Sequence, residues 1–158
     1  EVLQLGNQDW TVLITPGHHP GHVCLLSDAG LVAGDMVAGI GTILIPPGTG
    51  DMDVYIEQLQ RLQQLDPHLM FPSHGPVIPL PNKTLAYYIK HRMERHQRVL
   101  DAVESGLATI PEISTEAYAN TPDAHPGLAQ DQTLAHLLSH ERAGRVQQTN
   151  KGWIRGDD

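Results

Sequence analysis

The first part of the chain alternates short apolar runs with turn residues, a pattern that is typical of strands. Residues 9–14 alternate apolar and polar side chains and predict a strand that ends at the breaker Pro16-Gly17. Residues 22–35 hold two apolar runs around Asp28-Ala29-Gly30, which predicts a hairpin whose second strand ends at Gly34-Asp35. Asp35 is therefore expected at the point where a strand becomes a loop.

A helical period follows a breaker-rich loop. Asp51 or Asp53 can cap this helix, Pro67 closes it, and its apolar positions share one face: Tyr55, Ile56, Leu59, Leu62 and Leu65. A buried strand, Leu69 to Phe71, then leads into a loop that carries His74. This strand-helix-strand order predicts an α/β layer with His74 at a strand end.

The second half of the chain has a helical pattern. Pro79 and Pro81 mark a boundary, after which Asn82 can cap a long helix that ends at Gly106. Two shorter helices, around Glu112 to Tyr118 and from about Gln130 to Arg142, precede two strand-like ends. Two helices followed by a two-stranded wing are typical of a winged helix. We predict three units: residues 1–80, a linker helix over 81–106, and a winged-helix-like module over 107–158.

Composition narrows the possible functions. The chain has 158 residues, of which 40% are apolar, and its 10 basic and 18 acidic residues give a net charge of −8. This balance argues against a broad electrostatic contact with nucleic acid or anionic membranes. With Cys24 as the single cysteine there can be no internal disulfide, and no apolar stretch reaches the roughly 18 residues that a membrane span needs. We expect a cytoplasmic setting and, since the chain begins at Glu1 without a signal-like segment, a piece of a longer protein.

Three chemically capable residues follow predicted strands. His18 lies in the stretch TPGHHPGH, Asp35 follows Gly34, and His74 lies in FPSHGPVI. Each alone has an ordinary explanation, as a loop histidine, a turn former and a surface histidine. Together they offer the imidazole and carboxylate groups that zinc prefers, placed on rigid strand ends. We therefore expect His18, Asp35 and His74 to converge, while the adjacent His19 points elsewhere.

These motifs resemble the last three metal-binding motifs of the metallo-β-lactamase-fold hydrolases. The resemblance implies an α/β (α+β) fold: the second half of an αββα sandwich followed by a winged helix, as in the family branch that includes a lactamase-like endoribonuclease. By that resemblance His18 binds one metal, Asp35 is the catalytic residue that bridges two metals, and His74 completes the shell of the second. His19 and Ser73 depart from the usual pattern without removing a ligand.

One expected motif is absent. The first motif of that family, H-x-H-x-D-H, supplies about half of the ligands and occurs nowhere in these residues. The chain therefore resembles a C-terminal half, which we expect to be inactive alone and to pair with the missing N-terminal half or with a second copy as a homodimer. In the complete protein, two zinc ions would serve hydrolysis by a metal-bound hydroxide. The substrate would be a small ester or thioester, or a phosphodiester such as RNA. The alternative is a non-catalytic fragment or interaction module.

The other histidines have structural explanations. We expect His22 to be a hydrogen-bonded structural histidine, with a role in holding the loop of the metal ligands as the alternative. We expect the i,i+4 pair His136 and His140 to lack the third ligand that a metal would need. His91, His96, Arg92, Arg95 and Arg98 are expected on the solvated face of the linker helix, where a contact with nucleic acid is the alternative. Cys24 is expected in the core.

Overall fold

A five-stranded sheet forms the first layer of the molecule. The computed structural model describes residues 1–156, so the last two residues of the predicted 107–158 module lie outside the described part. The strands occur in spatial order β1-β2-β3-β4-β5: Val2–Leu5, Gln8–Ile14, Val23–Ser27, Gly30–Gly34 and Met70–Pro72. Neighbours pair antiparallel except β4 and β5, which are parallel. The carboxyl ends of β2, β4 and β5 consequently lie at the same edge of the sheet.

Helix α1, Met52–Gln64, connects β4 to β5 and covers one face of the sheet. Its N-cap is Asp51, whose side chain accepts hydrogen bonds from the backbone N–H groups of Asp53 and Val54. Its apolar stripe is buried, as the 3.6-residue period predicts. Leu65 lies beyond the helix and is 41% exposed, so it does not extend the stripe.

The two faces of the sheet differ. Leu31 and Met70 are paired neighbours that are completely buried with α1 in one core. On the other face a row of apolar side chains crosses four strands and is only partly buried: Val12, Leu25, Val32 and Phe71. Ile14 and Val23, paired at the end of this face, are 67% and 46% exposed. One face of the layer is therefore covered and the other is open.

The long helix α2, Pro81–Glu104, leaves the sheet and carries the C-terminal module. It begins after Leu80, which has no side-chain cap, so the prediction that Asn82 caps it is wrong. Asn82 instead donates its amide N–H to the carboxylate of Asp66. A proline in the first helical turn needs no partner for its missing N–H, which explains how this helix starts without a cap.

The module that follows has a core of its own. Helix α3, Ile110–Ala117, opens with a capping box between Thr109 and Glu112, and helix α4, Pro126–Arg142, precedes the hairpin of β6 and β7, Val146–Thr149 and Gly152–Arg155. Val99, Ile113, Leu137 and Trp153 belong to its buried cluster. This is the predicted order of elements, and the winged-helix assignment itself stays a prediction. Among residues 1–156, no helix is long and apolar enough to cross a membrane.

Polar contacts connect the module to the sheet layer. At the start of α1, Asp53 accepts from the Ser139 hydroxyl and, at 2.6 Å, from Arg142, which also reaches Asp51 at 2.9 Å. The side chain of Gln132 on α4 bonds both the N–H and the C=O of Ile45, at 3.2 and 2.8 Å. The loop between β4 and α1 is thereby held between the two units.

Candidate metal site

Three loops at the carboxyl edge of the sheet bring His18, Asp35 and His74 together. The Nε2 atom of His74 lies 3.3 Å from Asp35 Oδ1, and the Nε2 atom of His18 lies 3.9 Å from Asp35 Oδ2. The two histidines therefore approach different oxygens of one carboxylate. The predicted convergence of these side chains is found, while the roles that the resemblance gives them stay predictions.

A hydrogen bond fixes the direction of His18. Its Nδ1 atom lies 2.7 Å from the backbone oxygen of Leu44, which can only accept, so Nδ1 carries the proton. The other ring nitrogen, Nε2, then faces Asp35. A carbonyl on the far nitrogen is a common way in which proteins orient a metal-binding imidazole. Leu44 belongs to the loop that Gln132 holds through Ile45, and sequence reasoning gave no sign of this support.

The spacing of this donor set and its unsatisfied oxygen suit a metal ion. Two ligands on a tetrahedral zinc, each about 2.0–2.1 Å from it, are about 3.3 Å apart, which is the spacing of His74 and Asp35. Asp35 Oδ1 is buried and has no hydrogen-bond partner, an arrangement that a cation would relieve. Within residues 1–156, no three His, Cys, Asp or Glu side chains are grouped so as to hold an ion alone. The two imidazoles and the carboxylate are thus donors that suit a metal ion, and the described residues supply only part of a ligand shell.

The neighbouring histidines do not join this set. His19 is exposed and accepts a hydrogen bond from the backbone N–H of Gly21, which agrees with the prediction that it points elsewhere. His22 bonds Thr15 on one side and the backbone N–H of Asp35 on the other, so it is a hydrogen-bonded structural histidine as expected. Burial lowers the pKa of His22 and keeps it neutral. Burial also raises the pKa of the Cys24 thiol to about 11 and keeps that core residue protonated.

The predicted solvated face of the linker helix is largely wrong. Arg92 and Arg95 are 2% and 4% exposed, and of the arginines predicted there only Arg98 is exposed. Arg92 donates to the carbonyl of Ile43 and, at 2.8 Å, to Gln132, while Arg95 donates to the carbonyl of Ala117. These guanidinium groups are occupied inside the protein and offer no cationic surface to nucleic acid.

A histidine cluster lies between α2 and α4. The rings of His96 and His140 stack with their centres 3.6 Å apart, and His96 Nδ1 lies 3.2 Å from His136 Nδ1. Burial lowers the pKa of all three, to about 4 for His96, so the cluster is neutral near pH 7. Its members bond one another and the backbone oxygen of His96. The i,i+4 pair on α4 is therefore buried, and His96 of α2 lies against both of its rings, a neighbour that the sequence analysis did not expect.

A large cavity lies away from these groups. It has a volume of about 890 Å³ and is lined by polar residues at the opposite edge of the sheet, including Gln8, Asp28 and His68. None of His18, Asp35 and His74 lines it. We take the carboxyl edge as the functional one, since the chemically capable groups converge there and the cavity is a shallow polar recess.

Comparison with known proteins shows which proteins this chain resembles. Residues 1–74 match the family model of the metallo-beta-lactamase superfamily. The chain is 36% identical over 152 residues to the beta-lactamase-like protein 2 homolog of Drosophila melanogaster, covering 89% of this chain and 50% of that protein. It is 30% identical over 95 residues to the atrochrysone carboxyl ACP thioesterase of Aspergillus fumigatus, covering 59% of this chain and 29% of that protein.

The fold comparison extends over the whole chain. A beta-lactamase domain protein from Burkholderia ambifaria superposes with a TM-score of 0.84 at 24% identity, covering 99% of this chain and 50% of that structure. This similarity includes the C-terminal module as well as the sheet. The chain spans about half the length of the fly relative and of this solved structure.

Proposed function

We propose, on the premise that the chain belongs to the metallo-beta-lactamase superfamily as its family match, relatives and fold support, that it supplies half of the active site of a zinc-dependent hydrolase. In this proposal His18 would hold one zinc ion, His74 would hold a second, and the Asp35 carboxylate would be shared between them. The observation that carries the proposal is that each histidine approaches a different oxygen of Asp35.

The side chains of this site are prepared for that role. The hydrogen bond to Leu44 leaves the Nε2 lone pair of His18 free to bind. The side chain of His74 is 71% exposed, which leaves its side of the site open to substrate. When bound, zinc lowers the pKa of a coordinated water and polarises the scissile carbonyl or phosphoryl group. The chain's own residues hold and orient these donors and need no nucleophilic side chain.

The remaining ligands belong to another segment in this proposal. This chain offers two protein donors for each metal, while zinc takes four or more ligands. The open sheet face, with the partly exposed row of Val12, Leu25, Val32 and Phe71, is where an N-terminal half carrying H-x-H-x-D-H would pack. A second copy of the chain is the other candidate for this surface.

For the substrate we favour a small ester or thioester over RNA. The acidic net charge of −8 and the burial of Arg92 and Arg95 both disfavour binding a polyanion. The name of the fungal relative, a thioesterase that acts on an acyl carrier protein, supports the thioester class. A phosphodiester remains the second candidate, since the same metal chemistry serves both bonds.

Zinc titration of the 158-residue chain tests the metal proposal. We expect less than one tightly bound zinc per chain and negligible turnover of generic thioester or phosphodiester substrates. Weak zinc binding should fall at least tenfold in His18→Ala and in Asp35→Ala. The matched control is His19→Ala, which removes an adjacent exposed histidine and should change nothing.

Two results would contradict this function. Zinc affinity that is equal in wild type, Asp35→Ala and His19→Ala would exclude the proposed ligands. Two tightly bound zinc ions with steady turnover in residues 1–158 would show that the site is complete without another segment. If zinc is not bound and the open sheet face still recruits a partner, the interaction-module alternative is favoured.

A further inference from the structure

We infer that His22 is a positioning residue that holds Asp35 in place through a proton-ordered chain of hydrogen bonds. This inference rests on the proposed function, because it concerns how the bridging carboxylate is held. This series of hydrogen bonds runs through Ala33, Cys24, Thr15, His22 and Asp35. It joins the backbone on both sides of Gly34, at the end of β4, to the loop that carries His18.

The donor and the acceptor of every hydrogen bond in this series follow from the bond at Asp35. The backbone N–H of Asp35 can only donate, and it lies 3.0 Å from His22 Nε2, so this nitrogen is unprotonated. The neutral ring then carries its proton on Nδ1, which lies 2.8 Å from the hydroxyl oxygen of Thr15. His22 is thereby fixed as a single tautomer.

The rest of the chain is compatible with that assignment. The Thr15 hydroxyl accepts from His22 and donates its own proton to Cys24 Sγ at 3.3 Å. The Cys24 thiol in turn donates to the carbonyl of Ala33 at 3.4 Å. Thr15 and Cys24 are both completely buried, so these protons have no competing water. Each donor in the chain has an acceptor, and the two backbone ends lie two residues apart.

The backbone of Gly34 is shaped to admit His22. Its φ of +55° is in the left-handed region, and a Cβ atom there would lie 2.6 Å from His22 Nε2. Any side chain at this position would displace the imidazole from the Asp35 amide. The glycine before Asp35 is thus required by the approach of His22 as well as by the turn.

The same short segment is also tied to the loop of His74. The backbone N–H of Ser73 donates to the carbonyl of Gly34 at 3.0 Å, and the N–H of Gly39 donates to the carbonyl of His74 at 2.8 Å. His22 therefore fixes a segment that carries Asp35 and anchors the third loop. A carboxylate shared by two metals must be held within a fraction of an ångström, which is the purpose that such support serves.

The inference is tested by substitutions of His22 that keep the hydrogen bond of one ring nitrogen and remove that of the other. A glutamine side chain reaches the position of Nε2, so His22→Gln keeps an acceptor for the Asp35 N–H. An asparagine reaches only the position of Nδ1, so His22→Asn keeps the contact with Thr15 and loses Asp35. Thr15→Val breaks the chain one step further away, and Thr15→Ser, which keeps the hydroxyl, is its control.

The primary measurement is ¹⁵N NMR on the metal-free 158-residue chain. We expect His22 to be the Nδ1–H tautomer, and the Asp35 amide to be rigid, with an order parameter of about 0.85 in wild type and His22→Gln but below about 0.6 in His22→Asn. Zinc affinity should fall about tenfold in His22→Asn and Thr15→Val, and by less than about threefold in His22→Gln and Thr15→Ser.

The results that would overturn this inference differ from those that would overturn the proposed function. An Nε2–H tautomer, or an equally rigid Asp35 amide in His22→Asn and wild type, would overturn the positioning role whatever zinc does. Zinc affinity that depends on Asp35 but is unchanged in His22→Asn would overturn it as well. Zinc affinity that ignores Asp35 itself would refute the metal site and leave the tautomer result standing.

Discussion

The two faces of the same sheet differ in how completely they are buried. Behind the sheet, Leu31 and Met70 are completely buried under α1, and α2 and α4 continue this packed side. In front, Leu25 and Val32 lie in a row that is only partly buried, and Ile14 at its end is 67% exposed. Both faces are apolar, yet within residues 1–156 only one of them is covered.

This difference in burial shows how the packing of the sheet supports the candidate site. The packed side supplies rigidity, because it holds the loops of Leu44 and Asp35 through Gln132, Tyr55 and Tyr88, whose polar atoms reach backbone groups of residues 36–45. On the open side the apolar row is only partly buried, and the proposed metal donors His18, Asp35 and His74 lie at the carboxyl edge of the same sheet. A segment that covered the row could bring the missing ligands to the same edge.

The largest effect should come from the covered face. Leu31→Ala removes a completely buried side chain next to Met70 and should lower the free energy of unfolding by about 2–5 kcal/mol. Leu25→Ala makes the same chemical change on the neighbouring strand but on the open face, and should cost less than about 1.5 kcal/mol. Urea denaturation of both variants measures the contrast, and equal losses would mean that the open face is already covered, for example by a second copy.

A smaller loss is expected from the buried arginine of the packed side. Arg95→Met should destabilise the chain by about 1–3 kcal/mol. The carbonyl of Ala117 loses its hydrogen-bond donor, and the Tyr118 ring loses the guanidinium that lies 3.7 Å from its centre. Arg98→Met, on the exposed side of the same helix, should stay within about 0.5 kcal/mol. If Arg98→Met proves as harmful as Arg95→Met, the helix faces are assigned wrongly.

Residue patterns predicted the packed side better than its polar interior. Period-2 alternation and the breakers around Gly17, Gly30 and Pro67 located β2 to β5 and α1, because such patterns reflect one-sided burial. The strand β1, Val2–Leu5, was not assigned, since its exposed residues carry no burial signal. The burial of Arg92 and Arg95 was missed because arginine is mostly exposed, and only the tertiary fold brings carbonyl acceptors to it.

The candidate site was predictable as a set of donors but not as a geometry. Strand ends and glycine-proline loops singled out His18, Asp35 and His74, which the structure brings together. The support from Leu44 joins residues 26 positions apart in sequence, and no local pattern reveals such a contact. The resemblance to the metallo-beta-lactamase superfamily is supported by the family match of residues 1–74 and by the fly relative, while the winged-helix branch stays a prediction.

Acid should weaken the packed side through its histidine cluster. Burial lowers the pKa of His96, His136 and His140 in the folded state, so the unfolded chain binds more protons between about pH 6.5 and pH 4. Stability is therefore full above pH 6.5 and falls as the pH drops through this window. We expect a loss on the order of 1 kcal/mol after allowance for the partial exposure of His96. Urea midpoints at pH 7 and pH 5 measure it, and His96→Gln should reduce the difference; a pH-independent midpoint would contradict the burial of the cluster.

The smallest effect on stability, and the most direct test of the comparison, is expected from the open face. Ile14→Lys and Val23→Lys place charge at two paired positions that are 67% and 46% exposed, so the free energy of unfolding should change by less than about 0.5 kcal/mol for each. A covering segment would have to bury both lysines, and an unpaired buried charge costs far more than that. The double variant should therefore fold normally, bind less of the dye ANS than wild type, and lose association with the proposed partner, whether an N-terminal half or a second copy.

The control for that double variant uses the other exposed surface. Tyr87→Lys and Met93→Lys, at 58% and 48% exposure on α2, add the same charge away from the sheet and should leave dye binding and association unchanged. Sedimentation of each variant with and without the N-terminal half separates the cases, because loss of association through net charge alone would affect both pairs. Association that survives lysines at Ile14 and Val23 would mean that the apolar row is not the docking surface, and that the missing ligands must approach from the loops instead.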